Sequence, residues 1–276
     1  KAGAFNVGVE GEVFLGGITA AYIGINWTFL PKPALYVACF VGAMVVAAAW
    51  ALIPAVLRAY YNVNEVCTTI LMNTVALYIT SYLVSGPMSA GTANAQSLPV
   101  TVRLYQFMKP SSVNVGIFIA AITVIVIIFM LQKSSWGYKI RTVGLNPTHA
   151  DYVGIDSKKV FVGAMMLSGM LGGMAGCIEV LGVHGYFLNN FATGLGSNGM
   201  LAALIVKNNM VSTPFMAFFL AVLKSGAMGM QQSTGVPKSL VDTITAVFII
   251  IATMETAFQF TKKRKKKTEE KKEDKA

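Results

Sequence analysis

Six ionisable residues of this 276-residue chain stand inside or at the edges of long apolar runs: Glu10, Glu12, Glu179, Lys224, Asp242 and Glu255. A charge in hydrocarbon is costly, so such a group faces a bundle interior or a water-filled cavity, or pairs with another charge. Lys224 sits mid-way along its run, where it is least able to reach an interface, and Glu255 is near enough to the C-terminal lysines to pair with one. Uncharged polar residues offer related chemistry. Asn6 and Asn73 lie in or beside apolar runs, Asn73 on the same stretch as Thr68, Thr69 and Thr74. Such groups hydrogen-bond neighbouring helices or line a path for a hydroxyl-rich solute. Asn6, Glu10, Asn73 and Glu179 are the residues expected to line such a path, and a proton-coupling role, if the chain has one, falls to Glu179.

The residue types that catalysis demands are sparse. The two histidines, His149 and His184, form no HExxH, and neither GxSxG nor GxxxxGK[ST] occurs. Cys39, Cys67 and Cys177 lack metal-ligand spacing and read as small buried hydrophobes. Met165, Met166, Met170 and Met174 read as soft packing along one helix. No catalytic residue, metal site or cofactor is therefore expected in this chain, and it does not read as an enzyme. A membrane-embedded enzyme would need carboxylates or histidines clustered on one cavity.

The elements that position these residues are long and apolar. The runs Val113–Leu131 and Val160–Ile178 each hold nineteen uncharged residues, about the length that crosses a bilayer core. Between them lies a polar, basic segment, Arg141–Ile155, with the sequence RTVGLNPTHADYVGI. Hydrophobic residues make up 55% of the chain and charged residues 12%, half the charged share of ordinary soluble domains, which is about 25%. Further spans are expected at about Val7–Leu30, Ala34–Leu57, Glu65–Val84, Val160–Val183, Pro214–Met230 and Leu240–Phe260. Pro31-Lys32-Pro33 ends the first, Asn64 caps the third, and Ser85-Gly86-Pro87 stops it. Met88–Ser112 reads as a polar loop with a short surface helix near Val102–Met108. The piece Gly199–Val206 is too short to cross and reads as part of a broken or re-entrant helix, which survives only where protein or a water-filled cavity covers it. The expected fold is all-α, a polytopic transmembrane helix bundle of about seven crossings, the first and sixth irregular.

Lysines and arginines set the orientation. Lys133, Lys139, Arg141, Lys158 and Lys159 make 133–159 a cytosolic loop, and the tail from Lys262 is cytosolic too. Residues 1–261 thus form the membrane domain of a multi-pass cell-membrane protein, and 262–276 a basic tail expected to be disordered and able to hold anionic lipid. Half of the net charge of +10 lies in this tail, with nine basic and four acidic residues. The charge therefore follows topology and does not point to nucleic acid.

Four ordered strings carry a resemblance. FNVGVEGEVFLGG (Phe5–Gly17), NEVCTTILMNTVALY (Asn64–Tyr78), GLNPTHADYVGI (Gly144–Ile155) and GVPKSLVD (Gly235–Asp242) resemble segments of the permease subunits of ATP-binding cassette importers. The branch resembled is that of nucleosides and simple sugars, and within it the longer of two paired nucleoside permease subunits. The resemblance implies a subunit that binds no ATP itself. It works with cytosolic ATPase subunits, a second permease subunit, a solute-binding protein and the surrounding lipid, and imports nucleosides or a simple sugar such as ribose. It also implies that Gly144, Asn146, Pro147, Ala150, Tyr152, Gly154 and Ile155 couple to the ATPase. Asn146 precedes a proline, so it is biased to extended backbone and placed to cap; a short helix over Thr148–Val153 then presents His149 and Tyr152 to a partner. Three departures stand out. The family's further N-terminal helices are missing, so the chain is expected to be N-terminally truncated. Glu12 stands where Gln is usual, and His149 where a small residue is usual. A proton-coupled secondary transporter is the competing expectation.

Overall fold

The computed structural model describes residues 2–107, 111–234 and a few positions between 239 and 247. The expected span Leu240–Phe260, Asp242, Glu255 and the 262–276 tail lie essentially or wholly outside the described residues. The chain divides into two compact units, Lys1–Ser197 and Asn198–Ala276.

In the first unit, α1 (Val9–Asn26) runs through the core and is buried almost all round. It packs on α2 (Lys32–Tyr61) and α7 (Ser157–Ile178), and α3 (Glu65–Ser85) lies alongside it. Small residues bring the three central helices together. Ala43, Ala47, Ala51 and Ala55 recur every fourth residue on α2 and are buried, as are Gly169, Gly172, Gly173 and Gly176 on α7. A Cβ on Gly176 would collide with the Val13 carbonyl of α1, and one on Gly173 with the Ala43 carbonyl of α2. Close backbone approach of this kind is how helices associate where lipid supplies no hydrophobic drive.

Helix α4 (Gly116–Lys133) leads to two shorter helices, α5 (Ser135–Leu145) and α6 (Pro147–Tyr152). After α7 the helix widens into a π-helical turn, Glu179–His184, and stops at Gly185, whose φ of 74° suits glycine. The chain then doubles back along α1. Thr101 and Gly185 are tied near Gly24 through the 100–101 segment, Phe191 lies against Gly17 and Phe14, and Gly194 reaches Glu10. The chain thus turns back into the bundle over 185–194, a re-entrant run beside α1, before α8 (Leu195–Ile205), which takes up nearly all of the expected piece Gly199–Val206.

In the second unit α8 ends where Lys207 and Asn208 both take positive φ. Asn209 then starts α9 (Ser212–Thr234), its side chain accepting from the backbone amides of Val211 and Ser212. Lys224 is half-buried on α9.

Among the described residues five helices are long and apolar enough to cross a membrane: α2, α3, α4, α7 with its π turn, and α9. The protein is an all-α polytopic membrane bundle. Helix α1, which carries Glu10 and Glu12 in its first turn, is not among these five; its eighteen residues, as many as α4 has, reach about 27 Å at 1.5 Å each.

Two expectations need correction. The surface helix near Val102–Met108 is absent over its described part, 102–107: burial alternates, Val100, Val102 and Leu104 inward and Thr101, Arg103 and Tyr105 outward. A period of two is an extended strand-like pattern, and this segment bonds to the re-entrant run, Leu104 N–H donating to Leu181 O at 2.9 Å and Val100 N–H to Gly185 O at 2.9 Å. Arg141–Leu145, read as loop, is the end of α5, whose Ile140 and Val143 are buried on one face.

Candidate functional site

Two polar regions contain the residues singled out by sequence. The first is the α5–α6 knob. Ser134 starts α5, its hydroxyl accepting from Gly137 N–H at 3.0 Å. Asn146 breaks the helix with extended backbone, φ −158° and ψ 105°, and its side-chain oxygen accepts from His149 N–H at 3.1 Å. Pro147 opens α6, where its missing N–H costs nothing. Ile155 N–H closes onto Ala150 O at 2.9 Å, and Gly154 turns the chain with φ 80°. Asp151 ties the exit down by accepting from the backbone and hydroxyl of Ser157 at 2.9 and 3.0 Å. Asp156 caps α7 through Lys159 N–H at 3.0 Å and pairs with the Lys159 ammonium at 3.0 Å. These contacts, the backbone amide first, hold the Asp156 carboxyl below its ordinary range.

The knob has two faces. Ala150 is fully buried with Ile140, Val143 and Val160 against Ala2, so it seats α6 on α5 rather than meeting a partner. Outside, Leu145 is 87% and Tyr152 85% exposed, and His149 and Val153 are exposed beside them. Gly144 is half-buried inside α5, near Gly3. Leu145 was not among the residues singled out; its place as the last residue of an amphipathic helix was the signal.

The second region is the start of α1. Gly8 offers no side-chain cap, and other elements replace one. Gly11 N–H donates to Asn73 Oδ1 of α3 at 2.8 Å, while Asn73 Nδ2 donates to Val7 O at 2.8 Å. Asn6 Oδ1 accepts from Gly8 N–H at 2.8 Å, and its Nδ2 donates to Glu12 Oε1 and to Ser168 Oγ of α7, both at 2.9 Å. Glu12 is 1% exposed, and its second oxygen, against Gly172, has no partner. Glu10 accepts from Gly194 N–H and from Ser197 Oγ, gripping the end of the re-entrant run. Asn6, Glu10 and Asn73 are therefore brought together at one level. Glu179 is not with them: it begins the π turn, beyond Gly176, which packs on Val13 and Gly17. Ser168 was missed, because nothing local to a serine in a methionine-rich helix marks it as a partner of Asn6.

Among the described residues no group of three or more His, Cys, Asp or Glu side chains could hold a metal.

Residues 1–253 match a family described as the permease component of branched-chain amino acid transport systems. The guanosine ABC transporter permease protein NupP of Bacillus subtilis is 32% identical, over 97% of this chain and 78% of that protein. The glucose ABC transporter permease protein TsgB13 of Haloferax volcanii is 33% identical, over 91% and 69%. The nucleoside ABC transporter permease protein NupB of Lactococcus lactis is 28% identical, over 90% and 71%. No solved structure matches the chain. Spanning helices, with a family match and relatives of this kind, define a membrane-embedded permease component of an ATP-binding cassette transporter. The chain belongs to the permease-component family of branched-chain amino acid transport systems.

Proposed function

We propose that this chain is one of two paired permease subunits of an importer for nucleosides, driven by ATP that a partner ATPase binds and hydrolyses. The observation that carries the coupling half is the knob: a backbone pinned by Asn146, Asp151 and Asp156 that leaves Leu145 and Tyr152 bare. Exposed apolar and aromatic side chains on a rigid mount suit the docking of a protein partner. Asn146, Pro147, Gly154 and Ile155 shape the mount, and Ala150 seats it. The knob faces the cytosol in this reading, as its lysines and arginines require, and the tail with it. A solute-binding protein delivers cargo on the other side.

The cargo half rests on relatives. Two guanosine permeases of Bacillus subtilis resemble the chain, NupP at 32% and NupQ at 23% identity. The two nucleoside permeases of Lactococcus lactis do so at 28% and 23%. That each of these organisms has two permeases for the same cargo, unequally similar to this chain, supports a role as one of two unlike subunits. A simple sugar is the second reading, supported by the 33% identity to the Haloferax volcanii glucose permease. Asn6, Glu10 and Asn73 then hold the start of α1 and the re-entrant run beside the solute path, and Glu179 is its fourth polar residue.

The test uses cells carrying the full-length gene and its transporter partners. Uptake of labelled guanosine is expected, and is abolished by an ATPase-dead partner. Leu145→Asp with Tyr152→Asp is expected to weaken ATPase co-purification by about tenfold or more, the scale of interface hot spots. Unchanged ATPase association, or uptake that ignores the ATPase and follows the proton gradient, refutes the proposal.

A further inference from the structure

A cavity of 430 Å³ opens at the end of α1 remote from the knob, between α1, the end of α3 and the segment after it. Its volume lies within the range of small-molecule sites, about 300–1,000 Å³. Its lining is divided. Ile18 and Ile25 of α1, Leu83 of α3, and Pro87, Met88 and Leu98 supply apolar walls. Thr19, Tyr22 and Asn26 supply the polar groups, on successive turns of α1.

The polar groups keep unspent hydrogen-bonding capacity. Asn26 gives one amide proton to Tyr22 O at 2.9 Å, which leaves its other proton and its carbonyl oxygen. Thr19 donates to Leu15 O at 2.7 Å and can still accept. Tyr22 is half exposed, its ring forming part of the wall. Hydrocarbon lying here would leave an amide and a phenol without partners, which is costly. A free sugar carries hydroxyls on every face, and the apolar walls would strand most of them. A nucleobase matches both sides: flat apolar faces for the walls and an edge of donors and acceptors for Asn26 and Tyr22.

We infer that this cavity receives the base of a nucleoside at the outer mouth of the solute path, with Tyr22 and Asn26 as the groups that prefer a nucleoside to a free sugar. The inference rests on the nucleoside reading above and adds the site where the preference is made.

The experiment uses the complete importer, with labelled adenosine and labelled ribose as probes. Asn26→Leu and Tyr22→Leu are expected to raise the KM for adenosine about tenfold, the scale of losing one stacking or edge contact, and to leave any ribose uptake unchanged. Leu83→Trp fills the cavity and is expected to cut adenosine uptake about tenfold or more. Co-purification with the ATPase shows that each variant assembles. Variants that assemble and keep the wild-type KM for adenosine overturn the inference while the nucleoside reading stands. A wild-type importer that takes up ribose and not adenosine overturns the nucleoside reading, and the inference with it. Should a variant fail to assemble, Tyr22→Trp in the purified complex decides. Its fluorescence, taken as the difference from wild type, is expected to be quenched by adenosine; quenching only by brominated acyl chains shows that lipid fills the cavity and overturns the inference.

Discussion

Replacing Asn73 with leucine tests whether a side chain of α3 caps α1 inside the protein. The amide makes two bonds to backbone, accepting from Gly11 N–H and donating to Val7 O, both at 2.8 Å. Gly11 is one of the first amides of α1, which have no partner within their own helix, and Gly8 supplies no cap. Leucine is close to asparagine in size, so the change removes the bonds without opening a large void. Each backbone group stranded away from water costs about 1–3 kcal/mol. Two such groups cost about 2–6 kcal/mol, and the added apolar surface returns about 2 kcal/mol. The expected net loss lies at about 2 kcal/mol, the centre of a range of about 0–4 kcal/mol. That centre is about three times the average of about 0.6 kcal/mol measured for side-chain bonds between membrane helices. The difference decides the matter: backbone amides at a helix start have few alternatives, whereas side chains find other partners. Asn73→Asp is the informative companion, because it keeps the acceptor for Gly11 N–H but, once ionised, places a second acceptor against Val7 O. It is expected to fall between wild type and leucine if neutral, and below leucine if ionised. Reversible unfolding of the permease in mixed detergent micelles, followed by tryptophan fluorescence, measures all three. A leucine variant within about 0.6 kcal/mol of wild type would mean that water or another group already serves those amides, and the capping argument would fail.

Gly176→Val is expected to prevent assembly, because its Cβ meets the Val13 carbonyl, backbone that cannot swing aside; overpacking alone costs about 1–3 kcal/mol, and normal yield with intact co-purification would contradict the tight α1–α7 contact. Asp156 gives a pH prediction. Its carboxyl is held low in the folded protein by Lys159, so the cap contributes fully above the unfolded value, about 3.9, and is lost as pH falls through the lower folded value. Hydrogen exchange in the first turn of α7, corrected for intrinsic rates, should therefore speed up in acid in the wild type. It should stay level with pH in Asp156→Asn, which keeps a capping oxygen without titrating; equal acid sensitivity in both would remove Asp156 as the cause.

The parts of this molecule legible in its sequence are those where one residue's chemistry dictates local backbone. Asn64 before α3 and Asn146 before Pro147 were readable as caps, and both accept from amides two or three residues on. The apolar runs were readable as spans because hydrophobic length needs no partner to define it. The extended segment around Val102 was misread, although its alternation of Val100, Val102 and Leu104 was visible. Polar neighbours suggested a surface, and only the re-entrant run beside it shows why those valines point inward. Ser168 and the small-residue contacts were illegible for a different reason. Their meaning lies in which helix comes to lie opposite, and a chain read in order does not say that α7 will meet α1.

The same distinction explains how the two polar regions differ. In the knob nearly every bond is local: Asn146 to His149, Asp151 to Ser157, Asp156 to Lys159. Such a unit keeps its shape while its surroundings move, which suits a lever pushed by a partner. At the start of α1 the bonds are long-range, joining Asn6 to Ser168, Asn73 to Val7, and Glu10 to Gly194. Any relative movement of α1 against α3, α7 or the re-entrant run must break one of them. In an importer that alternates its access, the local cluster would transmit motion as a body, and the long-range cluster is where that motion would be felt.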